Sequence, residues 1–566
     1  MSDAPSTPVS PPAPTTPRVL ADAYLHAVGE LDPLVSSSIG LVEHEDRLPD
    51  LSPDGAAARA DLARRTLADL TALERDGAAR DELEARCARL LRDRLGVEVE
   101  AFERGEHLRT VRNLMGPAQS VRSTFDLMPT ATEEDWATIA RRMARVPDAY
   151  ASWTAALEEG RRRGLLAAPL QVETLVGQLD AWTAAPASWF HGFVAGGPEA
   201  LGPELGAAAD RAAAAVADLR DYLAGTYLPA AAGTPDAVGE DRYVFGARRV
   251  AGATIDPAAT YAWGWEEVRR IRAEMEVLAD EILPGASPVE AMRHLDVHGR
   301  AVEGVDEVRD WLQAMMDRTI TELDGTHFDI APPLRTVEAM IAPPGSAAAP
   351  YYTRPSIGFA RPGRTWLPTL GRTRFPVYDL VSTWYHEGVP GHHLQLAQWV
   401  HVAPSLSTYQ TTLGSSSGAT EGWALYAERL MDELGYLDAE TRIGYLDAQV
   451  MRAIRVVIDI GMHLGYRVPD DSPLAPGETW TPALAREFFG MHSGRPGDFM
   501  DSEIVRYLGW PGQAISYKLG ERAWLAGREA ARAAHGDAFD LKAWHMAALS
   551  LGALGLDDLE EELGRL

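Results

Sequence analysis

Apolar side chains recur three and four positions apart along most of the chain, from about residue 19 onwards. Segments 60–73 and 81–95 show this spacing clearly, and it is typical of amphipathic helices that pack one face on a core. Helix start signals recur as well, because Ser287, followed by Pro288 and Glu290, has the pattern of a capping box. The pattern therefore predicts a mainly α-helical protein.

Strand signals are few and fall in one short region. Segments 336–342 and 364–370, with a pair of tyrosines at 351–352 between them, are rich in β-branched or aromatic residues and are separated by Pro and Gly. We therefore expect one small antiparallel sheet. It lies just before the segment that carries the candidate chemistry, so it is expected beside the metal-binding helix.

The chain divides into three predicted regions. Residues 1–18 are rich in Pro, Ser and Thr, a composition that is typical of a disordered leader. Residues 19–330 are predicted to form an N-terminal helical region, and residues 331–566 a zinc-binding catalytic region. The two folded regions can equally belong to one continuous helical domain.

The composition excludes several classes of protein. With 53 Lys and Arg against 82 Asp and Glu, the 566-residue chain has a formal charge of −29, whereas binders of nucleic acid or of membrane surfaces need basic patches. A hydrophobic content of 46% is ordinary for a globular protein. Cys87 is the one cysteine, so no internal disulfide can form. We expect no membrane span and no signal peptide, and hence a cytoplasmic location.

Three of the 15 histidines fall within eight residues, at positions 386, 392 and 393, and Glu387 follows the first of them. Neutral imidazole is a preferred zinc ligand. In the H-E-x-x-H motif of zinc hydrolases, two His one helical turn apart bind the metal, and the Glu acts as general base. The segment therefore predicts a zinc site with His386 as a ligand and Glu387 as the base.

The spacing departs from that motif, because position i+4 after His386 is Pro390. On a straight helix, position i+6 lies about 120° off the face of the first His, and position i+7 lies about 10.5 Å further along the axis. Pro390 and the nearby glycines supply a distortion, since Pro breaks helical hydrogen bonding and Gly tolerates unusual backbone angles. We therefore predict a bulge of two extra residues that brings His392 to the second ligand position, with His393 as its competitor.

A third ligand is expected on a later helix. In one large class of zinc peptidases, a Glu from the next helix completes the site, and Glu421, 29 residues beyond His392, fits this pattern. Glu428 lies seven residues beyond Glu421 on the same helix face, but one Glu per zinc suffices. Two His and one Glu, with water in the fourth position, form an open, catalytic arrangement.

Three segments carry a family resemblance: HEGVPGHHLQ from His386, EGWALYAE from Glu421 and WPGQAISYKLG from Trp510. They resemble the bacterial family known as domain of unknown function 885, which is grouped with the gluzincin-type zinc metallopeptidases. Similar stretches, among them 239–252 and 452–465, extend the resemblance over nearly the whole chain from about residue 20. The resemblance implies a mainly helical, zincin-like fold, more distantly similar to thimet oligopeptidase and to Taq-type carboxypeptidases.

Peptide hydrolysis also requires a donor for the oxyanion, and segment 506–518 offers Tyr507, Gln513 and Tyr517. In the distantly similar peptidases, a Tyr-rich segment late in the chain has this role. We therefore expect Tyr517 to act, with Tyr507 as the second candidate. The alternative is that Tyr517 packs in the core with its hydroxyl hydrogen-bonded.

Two further groups are candidates for orienting a ligand or binding substrate. Arg455, Asp459 and His463 lie on one helix face at i, i+4 and i+8. Asp459 can orient a zinc-bound His and Arg455 can bind a substrate carboxylate, unless the stripe only joins helices by buried salt bridges. The strand with Tyr352 can pair with an extended substrate, unless it is a purely structural hairpin.

Together these residues predict zinc-dependent hydrolysis of an amide bond, with one zinc ion per chain. A short peptide is the expected substrate, an expectation that follows from the architecture of the similar families. Two alternatives stay open: a metal-dependent hydrolase of a non-peptide amide or modified amino acid, and a non-catalytic metal-binding protein. The intact pair of His386 and Glu387 favours an enzyme, since a binding module does not need the base.

Overall fold

The computed structural model describes residues 14–40, 45–184, 188–343 and 349–566, and most of them lie in helices. The first fifteen helices are α1 (Pro17–Leu31), α2 (Pro33–Ile39), α3 (Pro53–Arg75), α4 (Glu82–Glu103), α5 (Pro117–Ser123), α6 (Glu133–Met143), α7 (Val146–Arg162), α8 (Pro169–Thr183), α9 (Trp189–Val194), α10 (Gly202–Tyr222), α11 (Leu228–Ala231), α12 (Glu240–Ala251), α13 (Pro257–Ile282), α14 (Pro288–His298) and α15 (Val305–Leu323). The next ten are α16 (Val377–Glu387), α17 (His392–Val402), α18 (Thr408–Thr411), α19 (Ser417–Glu433), α20 (Ala439–Leu464), α21 (Pro482–His492), α22 (Gly497–Gly509), α23 (Ser516–His535), α24 (Leu541–Leu549) and α25 (Leu556–Arg565). The strands are β1 (Ala301–Glu303), β2 (Val337–Ile341), β3 (Tyr351–Thr353), β4 (Gly363–Leu367) and β5 (Arg374–Pro376). The prediction of a mainly helical protein with a small sheet is confirmed.

The first helix begins at Pro17, inside the predicted leader of residues 1–18. The first thirteen residues of that leader lie outside the described residues. Thr16 caps α1 with its side chain, and Pro17 occupies the first helical position, so the helix starts earlier than composition alone indicates. The predicted capping box of α14 is confirmed, because Ser287 and Glu290 exchange side chain-to-backbone hydrogen bonds.

The three predicted strands form one sheet in the order β2–β4–β3. β3 pairs antiparallel with β4, but β2 pairs parallel with β4, so the sheet is mixed and the prediction of an antiparallel sheet is wrong for one pair. The reason is that β4 inserts between β2 and β3, which run in opposite directions. A separate antiparallel pair, β1 with β5, is not predicted by the sequence pattern, because each strand has only three residues.

The helices around the candidate site pack on α20, which is buried along most of its length. α13 and α16 pack on α20, while α19 packs on α16, α17 and α23. One hydrophobic core joins these helices and includes Trp265 as well as Trp423 and Trp524. This core therefore extends across the predicted boundary at residue 330. A second core lies among residues 108–231.

Helices α19 and α23 cross in direct backbone contact at Gly422 and Gly520. A Cβ atom on Gly422 would lie 2.4 Å from Cα of Gly520, and one on Gly520 would lie 2.1 Å from the carbonyl oxygen of Gly418. Only glycine allows this approach, since a close-packed interior has no space for the extra atom. The crossing places Glu421 of α19 within electrostatic reach of Tyr517 of α23.

Candidate metal centre

The segment between α16 and α17 brings two motif histidines together. α16 ends one residue after His386 and α17 begins at His392, so residues 388–391 are non-helical where the sequence predicts only a bulge. The backbone N–H of Gly391 donates to the carbonyl oxygen of Tyr385 at 3.0 Å, which folds this short loop back on the end of α16. As a result, the imidazole rings of His386 and His392 lie 4.7 Å apart, centre to centre.

Two contacts explain the shape of this loop. A Cβ atom on Gly391 would lie 2.0 Å from the carbonyl oxygen of His386, so the close approach requires glycine. The indole Nε1 of Trp423 donates to the carbonyl oxygens of Pro390 and Gly391 at 2.9 and 3.1 Å. Trp423 is fully buried in α19 and thereby fixes the loop to the helix that carries Glu421. Sequence spacing does not identify this role, because it depends on a tertiary contact.

His386, His392 and Glu421 form one group of potential metal ligands. One nitrogen of each imidazole and one carboxylate oxygen all lie within 4.8 Å of one another. Nε2 of His386 is 3.3 Å from Oε2 of Glu421, and Nε2 of His392 is 3.6 Å from the same oxygen. The structure thus brings together the three predicted ligands from α16, α17 and α19.

The buried atoms and charges of this group fit a bound cation. Oε2 of Glu421 is buried and has no hydrogen-bond partner in the described part of the chain, although it faces two imidazoles. Burial opposes ionisation of this carboxyl, but His386 and His392 outweigh burial and hold its pKa well below the usual range. A carboxylate and two imidazoles directed at one point match a donor set that zinc prefers.

Behind His386 lies a second carboxylate, that of Glu428. Its Oε1 is 2.7 Å from Nδ1 of His386, and its Oε2 accepts a hydrogen bond from the Ser382 hydroxyl at 2.6 Å. The sequence favours Asp459 for this orienting role, and the structure corrects that assignment, because Asp459 instead accepts from the Tyr243 hydroxyl at 2.7 Å. Glu428, rather than Asp459, therefore fixes the ring of His386.

Glu387 follows His386 at the end of α16, and only 8% of its surface is exposed. Burial raises the pKa of its carboxyl, while the charges of His386 and His392 oppose that effect. A carboxyl with a raised pKa beside a metal-bound water is suited to take a proton from it. Glu387 therefore lies beside the ligand group, as a general base requires.

His393, the predicted competitor of His392, is turned away from the ligand group. The Tyr352 hydroxyl lies 2.9 Å from its Nδ1, and its Nε2 lies 2.8 Å from the carbonyl oxygen of Leu334. Because a carbonyl only accepts, Nε2 carries the proton and Nδ1 accepts from Tyr352. Burial lowers the pKa of His393 to about 4, which keeps the ring neutral. Tyr352, predicted to contact substrate, instead ties β3 to α17.

Two of the predicted oxyanion donors, Tyr507 and Gln513, belong to a buried network. The Tyr507 hydroxyl donates to Oε2 of Glu503 at 2.7 Å and accepts from Nε of Arg455 at 3.0 Å. The side-chain oxygen of Gln513 accepts from the guanidinium of Arg506. Tyr507 is also fully buried, so its hydroxyl is committed to this network rather than to a substrate.

Tyr517 is the predicted oxyanion donor that stays partly exposed. The guanidinium of Arg455 lies 4.9 Å from the centre of its ring. Burial raises the pKa of the Tyr517 phenol, and the negative charge of Glu421 raises it further. The hydroxyl therefore stays protonated near the ligand group, as a hydrogen-bond donor to an oxyanion must.

The stripe of Arg455, Asp459 and His463 links α20 to neighbouring elements, which agrees with the alternative prediction that these residues only join helices. Nη2 of Arg455 is 2.8 Å from a carboxylate oxygen on α22. Nε2 of His463 lies 3.0 Å from the carbonyl oxygen of Tyr507, which is also on α22. Asp459 accepts from the backbone N–H of Gly512 at 3.2 Å. All three side chains of the stripe are buried, so Arg455 is not placed as an anchor for a substrate carboxylate.

The fold and the site define a class: a large, mainly helical protein with a small mixed sheet and a His–His–Glu group where α16, α17 and α19 meet. The family model of bacterial proteins of unknown function, DUF885, matches residues 33–563. The chain belongs to this family, so the predicted family is confirmed, while the grouping with gluzincin-type zinc metallopeptidases stays a prediction. Among curated proteins, none matches the chain at a significant level.

Two solved structures share this fold. One, from Colwellia psychrerythraea, is provisionally described as a lipoprotein; it is 22% identical with a TM-score of 0.78, and the match covers 97% of this chain and 99% of that chain. The other, from Shewanella oneidensis, is provisionally described as a lipoprotein of unknown function; it is 17% identical with a TM-score of 0.72 and the same coverage of 97% and 99%. In the described part of the present chain, no helix is both long and apolar enough to cross a membrane. The cytoplasmic location stays a prediction.

Proposed function

We propose that this protein is a zinc-dependent hydrolase of peptide bonds that acts on short peptides through a zincin-like site. The observation that carries the proposal is the convergence of His386, His392 and Glu421, whose ligand atoms lie within 4.8 Å of one another. Glu387, directly after the first of these residues, supplies a base. Three protein ligands and one position left for water are typical of catalytic rather than structural zinc.

The roles of the individual residues follow from their positions. His386, His392 and Glu421 would hold one zinc ion per chain, and Glu428 keeps the ring of His386 oriented. The ion, when bound, supplies Lewis-acid activation of water and of the substrate carbonyl. Glu387 takes a proton from the attacking water at its carboxylate and passes it to the leaving amine. Its raised pKa suits both transfers, because the carboxyl must both accept and release the proton.

Tyr517 is the residue we assign to the oxyanion. Its hydroxyl donates to the oxygen of the substrate carbonyl as the carbon becomes tetrahedral. The crossing of α19 and α23 at Gly422 and Gly520 holds it near Glu421. A donor of this kind contributes on the order of 10²- to 10³-fold to turnover.

A cavity of about 720 Å³ lies among the N-terminal helices and the segment before α19, and no ligand residue of the candidate metal centre lines it. N-terminal helices line one part of it, and Tyr409, Leu413 and Ser415 line another. Ser415 lies two residues before α19, the helix that carries Glu421 in its second turn. Because His386, His392 and Glu421 are not part of this lining, the preference for short peptides rests on the architecture of the similar families.

Metal analysis of the purified protein, followed by cleavage of a peptide library with and without a chelator, tests the proposal. We expect one zinc ion per chain and cleavage of short peptides that a chelator abolishes and added zinc restores. Peptide cleavage that continues unchanged without metal would contradict zinc dependence. Turnover of blocked or non-peptide amides alone would identify a hydrolase of another amide, and zinc binding without any turnover would identify a metal-binding protein.

A further inference from the structure

Arg452 is a guanidinium beside the ligand group whose donors are largely unused. It lies on α20, and 11% of its side chain is exposed. Its Nη2 is 3.5 Å from Oε1 of Glu428, which is an ion-pair contact and too long for a good hydrogen bond. Nε of Arg452 is buried without a hydrogen-bond partner among the described residues. A guanidinium has five N–H donors, so this one has capacity for another acceptor.

The other two arginines of α20 differ from Arg452 in this respect. Arg442 donates to a carboxylate oxygen of Asp432 at 2.9 Å and to one of Glu274 at 2.7 Å. Arg455 donates to the hydroxyl of Tyr507 and to a carboxylate of α22, as described above. Each therefore has two hydrogen-bonded partners that join helices, whereas the contact of Arg452 among the described residues is the 3.5 Å ion pair with Glu428.

The charge environment of Arg452 is that of the reaction site. Burial raises the pKa of the Glu387 carboxyl and of the Tyr517 phenol, and the positive charge of Arg452 lowers both pKa values. Glu428, its ion-pair partner, is also hydrogen-bonded to His386 and Ser382, and the carboxyl of Asp447 lies within electrostatic reach of Arg452 as well. In the described part of the chain none of these carboxylates accepts a hydrogen bond from Nε of Arg452, so this buried donor is left for a bound anion.

We propose that Arg452 binds a carboxylate of the substrate, so that the site selects peptides with a free carboxylate near the cleaved bond. The inference rests on the proposed peptide hydrolysis and names its substrate class. A planar guanidinium binds a carboxylate through two parallel hydrogen bonds, and these are strong in a site shielded from water. The role that the sequence assigned to Arg455 thus passes to a residue one helical turn earlier.

The contacts limit how far this carboxylate lies from the cleaved bond. Nη2 of Arg452 is 3.5 Å from Oε1 of Glu428, which is in turn 2.7 Å from Nδ1 of His386. These contacts limit the distance from Nη2 of Arg452 to the ligand atom Nε2 of His386 to at most roughly 9 Å, and an extended peptide advances about 3.3 Å per residue, so no more than about three residues span it. If the carboxylate is the C-terminus, the enzyme removes one to three residues from that end.

Ligand binding to the full-length protein, with zinc added, tests the inference without requiring turnover. Titration calorimetry compares N-acetyl-trialanine with its C-terminal amide, because these probes differ only in the carboxylate. We expect the wild type to bind the acid roughly 10- to 100-fold more tightly, the value of a charge-assisted hydrogen-bonded contact. Arg452→Gln should abolish this preference by weakening only the acid, and Arg452→Lys should retain part of it. Arg442→Gln, on the same helix, is the matched control and should keep the full preference.

A third probe separates the two sources of a carboxylate. An amidated N-acetyl tripeptide that ends in Asp binds in an Arg452-dependent way if a side-chain carboxylate suffices, and binding of the trialanine acid alone identifies the C-terminus. Equal binding of acid and amide by the wild type would overturn the inference. An Arg452→Gln protein that loses zinc and binds both probes more weakly by the same factor would also overturn the inference. That result would mean that Arg452 only supports the site structurally, through Glu428. A wild type that binds the acid selectively but cleaves no peptide would refute the proposed hydrolysis alone.

Discussion

Oε1 of Glu428 lies 2.7 Å from Nδ1 of His386, and the Glu428 side chain is fully buried. The contact gives Nδ1 the proton and leaves Nε2, the atom that faces Glu421, for a metal. Burial lowers the pKa of His386, but the carboxylates of Glu421 and Glu428 outweigh it and raise the value to about 9 in the metal-free protein. The proposed zinc ion would therefore displace a proton from this ring when it binds at neutral pH.

Glu428→Gln should weaken zinc binding by about 10- to 100-fold with the fold retained, because an amide stabilises the imidazole less than a carboxylate does. Competition with a chromogenic chelator measures the affinity. Glu433→Gln, a partly exposed position at the end of the same helix, is the matched control and should leave the affinity unchanged. Equal zinc affinity in Glu428→Gln and the wild type would contradict the orienting role.

Glu387→Gln should retain zinc and lose about 10²- to 10⁴-fold in kcat for peptide cleavage, because the amide cannot take the proton from water. The measurement is turnover of a peptide by protein whose zinc content has been determined. Glu421→Gln provides the contrast, since it should lose zinc and activity together. A Glu387→Gln protein with full zinc and full activity would exclude this residue as the base.

His392→Ala and His393→Ala should have opposite effects. His392→Ala removes a ring nitrogen from the ligand group, so the zinc content should fall. His393→Ala should keep its zinc but lose stability, because it leaves the Tyr352 hydroxyl and the Leu334 carbonyl without a partner, at about 1–3 kcal/mol for each buried group. Metal analysis and thermal unfolding of both variants distinguish the two residues. Loss of zinc from His393→Ala alone would transfer the ligand role to that residue.

Local rules were sufficient to predict that a second histidine beyond Pro390 meets His386, with His392 favoured and His393 left as its competitor. Pro390 and the nearby glycines mark the point at which a regular helix must end, so the break in the helix follows from backbone chemistry. The hydrogen bonds that turn His393 away from His386 are tertiary contacts, and only they decide in favour of His392. The form of the break does not follow in the same way. Residues 388–391 are non-helical because the indole of Trp423, on a different helix, donates hydrogen bonds to two carbonyl oxygens of this loop.

The residues behind the ligands could not be predicted locally. Glu428 and Asp459 both lie on helices that pack beside α16, and spacing along the chain does not say which carboxylate faces His386. Tyr507 and Tyr517 belong to one motif, yet the first is sealed in the interface of α20 with α22 and the second stays partly exposed. Only the arrangement of whole helices decides between such candidates.

Asp459 should make stability depend on pH. Burial raises the pKa of its carboxyl to about 7, although the Tyr243 hydroxyl and the Gly512 N–H donate to it. In the unfolded chain the carboxyl ionises near pH 4, so between about pH 4 and 7 the folded protein keeps a proton that the unfolded chain has lost, and stability falls as pH rises.

Asp459→Asn removes this titration while its amide oxygen can still accept both hydrogen bonds. We expect the variant to unfold at a higher temperature than the wild type at pH 8. Its gain in the free energy of unfolding should be on the order of 1.4 kcal/mol for each unit by which the pKa of Asp459 differs between the folded and unfolded chain. The gain should shrink when both proteins are compared at pH 5. A gain that is equal at the two pH values would show that Asp459 does not titrate in this range.

Gly520→Ala should damage the fold and the site together. Its Cβ atom would lie 2.1 Å from the carbonyl oxygen of Gly418 and 2.5 Å from Cα of Gly422. These are backbone atoms, so the overlap is relieved only if α19 and α23 separate, at a cost of about 1–3 kcal/mol or more. Separation of the two helices also moves Glu421 relative to His386, so the zinc affinity and the unfolding temperature of the variant should both fall.

Gly206→Ala is the matched control for this crossing, because it lies inside α10 and its added Cβ atom would meet nothing within 4 Å. The control should be neutral or should stabilise the protein by about 0.5–1 kcal/mol, since alanine loses less backbone freedom in a helix than glycine does. Thermal unfolding and zinc titration of both variants provide the comparison. If Gly520→Ala had the same zinc affinity as Gly206→Ala but unfolded at a lower temperature, the crossing would support the fold without positioning Glu421.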